Sequence, residues 1–196
     1  MNAAPDAVPA RRRTDARNRR LLLLIAAIAI APVVISYVAY YFVPREARVN
    51  YGTLLPTRPL PPIGGTLLTG APFTSADLRG RWTMLYAGSG ACDAGCADAL
   101  YASRQARTIQ NAERERVQRV WLVPDDRLPA PRALEGHPDL LVAHVAPGAV
   151  AALPEGAGRI YLIDPLGNFV LAWPLRPDIK AMARDVARLL RASSIG

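Results

Sequence analysis

The sequence predicts an α/β domain, a mixed sheet with flanking helices, behind one N-terminal membrane-spanning helix. Three observations carry this. Leu21 to Val43 is a run of 23 residues without a charge. Two apolar strand-like runs, Trp82 to Ala87 and Val117 to Val123, bracket a helical stretch that opens on two cysteines. Two further apolar runs, Arg159 to Ile163 and Phe169 to Trp173, surround a turn and precede a helix with one apolar stripe.

The chain begins with Ala, Pro and Arg and almost no large apolar side chain, so residues 1–20 read as a disordered basic tail. They hold six arginines against Asp6 and Asp15, which is half of the net charge of +8. Leu21 to Val43, as a helix, rises about 34 Å and crosses the hydrocarbon of a bilayer. Tyr37, Tyr40, Tyr41 and Phe42 stand at its far end, where an aromatic belt belongs. Pro32 lies mid-span, which membrane helices tolerate. The arginines ahead of the span orient it with the N-terminus in the cytoplasm and the rest outside, at a bacterial inner membrane. A cleaved signal peptide fits less well, because the apolar run is long and no small-x-small cleavage site comes after it.

Residues 44–64 are rich in proline, with Pro56, Pro59, Pro61 and Pro62 close together. Such a stretch is either an extended spacer or a loop laid along the domain. The folded domain is expected over residues 65–192. Thr69 to Ala71 and Phe73 to Leu78 read as short strand or loop, and Gly80 turns the chain into the strand at Trp82. Trp82 to Ala87 is apolar throughout, as a strand buried on both faces must be. Gly88, Ser89 and Gly90 break it, and Ser89 or Asp93 caps the next helix.

The spacing predicts that this helix runs from about Cys92 to Gln118, with Cys96, Ala99, Ala102, Ala106 and Ile109 inward. Val117 to Val123 is the second strand and Pro124-Asp125-Asp126 the loop after it. Pro129 to Pro138 is irregular, Leu140 to Val145 a third strand, and Pro147 to Leu153 a short helix. Asp164 to Asn168 forms the hairpin turn. Asp178 to Arg191 is the last helix, with Ile179, Met182, Val186 and Leu189 on one stripe. Strand, cysteine helix, strand, antiparallel hairpin and terminal helix are in the order of the thioredoxin fold.

Cys92 and Cys96 are the only cysteines. At i and i+4 of a helix they share one face and present two sulfurs to one point. A helix N-terminus favours the thiolate, the form that attacks disulfides and binds metals. Two soft thiolates suit Cu(I), zinc or a reversible disulfide, while Asp93 between them raises their pKa. A static disulfide is the structural alternative, though it closes a very short loop and stabilises little. Of the two histidines, His144 sits on the expected third strand and His137 precedes Pro138 in a loop. His144 is a strand residue or a copper ligand beside the two sulfurs; His137 reads as surface. Met84 and Met182 read as core. Outside the tail no basic cluster interleaved with aromatics is present, which argues against nucleic acid as a partner.

The chain resembles the Sco/SenC family of membrane-anchored, thioredoxin-like proteins. The resemblance covers Leu67 to Leu190 and the anchor ahead of it. It rests on Leu78-Arg79-Gly80-Arg81-Trp82, on the C-x-x-x-C of Cys92 and Cys96, and on Ile160-Tyr161-Leu162-Ile163-Asp164-Pro165-Leu166-Gly167. Thioredoxins place two residues between their cysteines, and Sco-like proteins three. The resemblance implies a thioredoxin-like fold, Cu(I) bound by Cys92 and Cys96, and a partner in the copper-carrying subunit of cytochrome c oxidase. The departures are specific. Asp93 and Ala97 stand where the family has prolines, and Pro154 to Arg159 holds no histidine where the family has its third copper ligand.

Two functions are consistent with these residues. The first is an assembly factor for a terminal oxidase that carries Cu(I) or keeps the client's copper-site thiols reduced. The second is a metal-free thiol–disulfide oxidoreductase. A scaffold that docks without chemistry is a weaker third.

Overall fold

A computed structural model describes residues 11–42 and 50–195. The chain divides into two compact units, Met1–Arg48 and Val49–Gly196. In the first, helix α1 spans Arg11–Phe42 with Pro32 inside it. Its stretch Arg17–Val38 is long and apolar enough to cross a membrane. The Tyr37 and Tyr41 rings pair at 5.0 Å, one helical turn apart. The expected disordered tail differs in its described half, because Arg11 to Arg20 continue the helix. Arginine and alanine are good helix formers, and a helix already nucleated by the apolar run extends through them. Residues 1–10, and Val43 of the expected span, lie outside the described residues.

The second unit is built on one eight-stranded sheet. Its strands are β1 (Thr53–Leu54), β2 (Gly64–Leu67), β3 (Pro72–Thr74), β4 (Trp82–Ala87), β5 (Val117–Val123), β6 (Leu140–Val145), β7 (Arg159–Ile163) and β8 (Phe169–Pro174). They lie in the order β1-β8-β7-β4-β5-β6-β2-β3. β4, β5 and β6 run parallel; the remaining pairs are antiparallel. The helices of this unit are α2 (Ala94–Thr108), α3 (Pro131–Leu134), α4 (Pro147–Ala151) and α5 (Ile179–Ala192).

Every residue of β4 is buried, because both sheet faces are covered at the centre. On one face Met84, Tyr86, Trp121 and Trp173 pack with α2 and with Met182 of α5. On the other, Leu85, Val120, Leu122, Tyr161 and Phe169 pack with Leu55, Ile63 and Phe73. Trp121 and Trp173 are fully buried, and replacing either with alanine would cost about 3–5 kcal/mol.

Two boundaries differ from the sequence reading. The cysteine helix ends at Thr108, ten residues before Gln118. Asn111 there adopts φ +52°, a left-handed turn that asparagine tolerates, and a 3-10 helix over Asn111–Arg116 leads into β5. Ile109, expected inward, caps the helix and is exposed. The proline-rich stretch is not a spacer over its described part, residues 50–64. Thr53 and Leu54 pair with β8, Pro59 bridges to Asn168, and Leu55 and Ile63 are buried. Proline fits an edge strand, where no partner needs its missing N–H. The folded unit therefore starts well before residue 65.

Candidate functional site

The parallel strands β4 and β5 end side by side at Ala87 and Leu122–Val123. The loop after β4 is where the cysteines meet. Cys92 and Cys96 are joined by a disulfide, with their Cα atoms 5.0 Å apart. The sulfurs converge, as the spacing predicts, but the geometry is not that of two helical residues. Asp93 is the cap of α2, its side chain accepting the Cys96 N–H at 2.9 Å. Cys92 therefore lies in the turn before the helix, at φ +45°, and only Cys96 is on the first turn. A non-glycine residue in that region stores of order 1 kcal/mol of backbone strain.

The turn holds Cys92 in place through several bonds. The Cys92 N–H donates to the Ser89 carbonyl at 3.1 Å. Asp125, on the loop after β5, accepts the Ser89 hydroxyl at 2.6 Å and the Gly90 N–H at 3.0 Å. These bonds, that of Ser89 first, hold the Asp125 carboxyl below its ordinary pKa. Gly90 is required, since a Cβ there would overlap the Arg127 carbonyl.

The two sulfurs have different surroundings. Cys96 is 1% exposed and lines a small hollow with Tyr86, Asp93 and Arg127. Burial, with Asp93 second, pushes the Tyr86 hydroxyl up to about 12, so it stays a proton donor. Cys92 is half-buried and lines a cleft of about 430 Å³ on the other side. Ala94, Ala97 and Leu100 of α2 form one wall of that cleft; Ala130, Arg132, Ala133 and His137 form the other.

His137 is the histidine the structure brings to this cleft, against the expectation of plain surface. Its Nδ1 lies 3.2 Å from an Arg119 guanidinium nitrogen. A guanidinium only donates, so Nδ1 accepts and the ring proton sits on Nε2. Burial, then Arg119 and Arg104, holds His137 below its ordinary pKa and keeps it neutral. Arg119 is itself fully buried, bonded to Ser103 Oγ, the Leu100 carbonyl and Asp139. Burial brings its pKa down to about 10, so it stays charged at neutral pH.

His144 lies on β6, paired with Val123 and Thr66. Its Nδ1 is 3.3 Å from the Asp125 carbonyl, and its buried Nε2 has no partner. It stands behind the Asp125 loop and lines neither cleft at the disulfide. Among the described residues, no group of three or more His, Cys, Asp or Glu is disposed to hold a metal. Met84 and Met182 are core, as expected. Asp164 closes the hairpin turn, accepting the Leu166 and Asn168 N–H groups.

The sequence model of the family described as "Transmembrane-like, thioredoxin-like, C-terminal domain" matches residues 82–193. The chain belongs to this family. No curated protein matches the sequence. Among solved structures, yeast Sco1 with copper bound is similar at a TM-score of 0.60 and 21% identity, covering 71% of this chain and 96% of that one. Copper-bound ScoI of Bradyrhizobium japonicum is similar at 0.55 and 20%, covering 67% and 99%. The thioredoxin domain of a thiol-disulfide oxidoreductase from Bacteroides vulgatus is similar at 0.54 and 17%, covering 69% and 99%. These likenesses establish the thioredoxin-like fold of this family member, and the first two are Sco proteins.

Sequence reasoning missed Asp125, Arg119 and His137 as parts of the site. One signal was available for Arg119. It stands between Val117 and Trp121 on the inward side of an apolar strand, where a charge demands partners. Nothing in the sequence tied Asp125 to Ser89 across 36 residues.

Proposed function

We propose that this family member is a membrane-anchored, Sco-like assembly factor. Its Cys92–Cys96 pair keeps the copper-site thiols of a terminal cytochrome c oxidase reduced. The N-terminus lies in the cytoplasm and the thioredoxin-like domain on the outer side of a bacterial inner membrane, supported by the arginines ahead of the apolar helix. The observation that carries the chemistry is the asymmetry of the disulfide: Cys92 faces an open cleft and Cys96 is sealed at the start of α2.

That asymmetry supports a division of labour. In the reduced chain the Cys92 thiolate attacks a client disulfide, and one client sulfur leaves as a thiolate. The Cys96 thiolate then attacks Cys92 Sγ, the mixed disulfide breaks, and the second client sulfur leaves. The client gains two electrons as a dithiol and the chain keeps the disulfide. A membrane dithiol donor resets it. The first-turn amides of α2 favour the Cys96 thiolate, and the Tyr86 hydroxyl beside it stays protonated.

Cu(I) enters as cargo. Two thiolates bind it linearly once the disulfide is reduced; His144 keeps Nε2 without a partner but lines neither hollow at the sulfurs, so it would have to move to add a third donor. A second reading is a metal-free thiol–disulfide oxidoreductase with other clients. The donor set at the site, two sulfurs and no clustered third ligand among the described residues, favours it.

The test uses the reduced full-length chain in detergent micelles, without oxygen. Reduction of a two-cysteine disulfide peptide, lost in Cys92→Ser, supports thiol maintenance. Cysteine-dependent binding of one Cu(I) supports carriage, and the absence of both activities in the native chain overturns the proposal.

A further inference from the structure

The cleft that exposes Cys92 carries more than a sulfur. Its α2 wall is Ala94, Ala97 and Leu100, small enough to let a peptide backbone approach. Its opposite wall carries Arg132 and His137. Arg132 is exposed on α3 and, among the described residues, makes no ion pair. Arg127, on the Cys96 side of the disulfide, makes none either. His137 has Nδ1 engaged by Arg119, so Nε2–H is the donor it has left.

Three carboxylates stand nearby, of which Asp139, acting on His137, is already held by Arg119 and Arg107. Asp93 commits one oxygen to the Cys96 N–H. Glu135 lines a neighbouring hollow with Arg132 and Leu134, outside the cleft. The wall facing Cys92 thus offers a cation and a neutral N–H donor, while Arg127 on the other side interacts with the Asp125 carboxylate.

We propose that this cleft receives a cysteine-bearing segment of a client protein in which acidic residues flank the cysteine. Arg132 and the His137 Nε2–H hold the carboxylates while the client sulfur meets Cys92. The inference rests on the thiol-exchange reading of the site and names the substrate it selects. In the exchange, the client thiol loses its proton to water. Its thiolate attacks Cys92 Sγ, the Cys92–Cys96 bond breaks, and the electron pair leaves on Cys96. The client sulfur is oxidised into a mixed disulfide as the Cys96 sulfur is reduced. The same mixed disulfide lies on the path in the reductive direction.

The experiment uses the oxidised full-length chain in uncharged detergent at low salt. Three capped five-residue peptides carry one cysteine flanked by glutamates, serines or lysines. Mixed-disulfide formation is quenched with acid and followed by mass spectrometry. Each peptide's rate is compared between the native chain and Arg132→Glu, which cancels the peptide's own thiol reactivity. Arg132→Glu is expected to slow the glutamate peptide about tenfold and speed the lysine peptide several-fold. The serine peptide should change by less than about twofold, and the glutamate effect should shrink as salt rises. Arg132→Gln should fall between, which separates lost attraction from a disturbed fold. Equal change for all three peptides overturns the inference and leaves the exchange reading standing. Failure of the serine peptide to react with the native chain overturns both.

Discussion

Among the described residues, two charges are buried on the α2–α5 side of this domain, and they are held in different ways. Asp185 of α5 is 2% exposed and accepts from the Tyr51 and Gly52 N–H groups and from Trp173 Nε1. Its partners are backbone amides of the bend that precedes β1, the indole of a core tryptophan and, at 4.0 Å, the Arg188 guanidinium. Gly52 is required there, because a Cβ would overlap the Trp173 ring. Arg119 of β5 is instead held by side chains and a helix carbonyl, and one of those side chains, His137, lines the cleft at Cys92. A buried charge satisfied by backbone amides fixes the path of the chain. A buried charge satisfied by side chains fixes the wall of a site.

That contrast breaks first at Asp185. Asp185→Ala leaves three donors without their acceptor and should lower stability by about 4 kcal/mol in urea denaturation, with the cleft chemistry unchanged once folded. Arg119→Met should cost less, about 2 kcal/mol, because Asp139 keeps its second partner, Arg107, at 3.4 Å. Its signature lies at the cleft. The His137 Nδ1 loses its donor, and two-dimensional nitrogen spectra should show the ring leaving the pure Nε2–H tautomer. An unchanged tautomer would mean that Arg119 does not orient His137.

The smallest effect belongs to Asp125, which is only partly buried but ties the turn that carries Cys92. Its folded pKa lies below the ordinary value of 3.8. The Ser89 and Gly90 bonds therefore contribute fully above pH 3.8 and are lost as pH falls through the lower, folded value. Amide exchange at Gly90, corrected for intrinsic rate, should accelerate about tenfold on acidification below that point, and Asp125→Ala should show the acceleration already at neutral pH.

How much of this the sequence revealed depends on the range of the interactions. β4, β5, β6 and the β7–β8 hairpin were legible because apolar runs and turn residues are local signals. The cysteine pair was legible for the same reason. The proline-rich stretch resolved only through its contacts with β8, since composition is the same for a spacer and a packed edge. The helix stop at Thr108 depended on one left-handed asparagine. The neighbours of the disulfide were least legible, because Asp125, Arg119 and His137 reach it through contacts between segments far apart in sequence. His144, the histidine that strand position favoured, lies one loop behind the site.

The central claim is that the two sulfurs are unequal, Cys92 open and Cys96 sealed. It is tested most directly by reducing the full-length chain and following carbamidomethylation of each cysteine by mass spectrometry, natively and in denaturant. The account predicts that Cys92 reacts at least about tenfold faster than Cys96 in the folded chain and that the difference vanishes in denaturant. Equal native rates, or a faster Cys96, would contradict it.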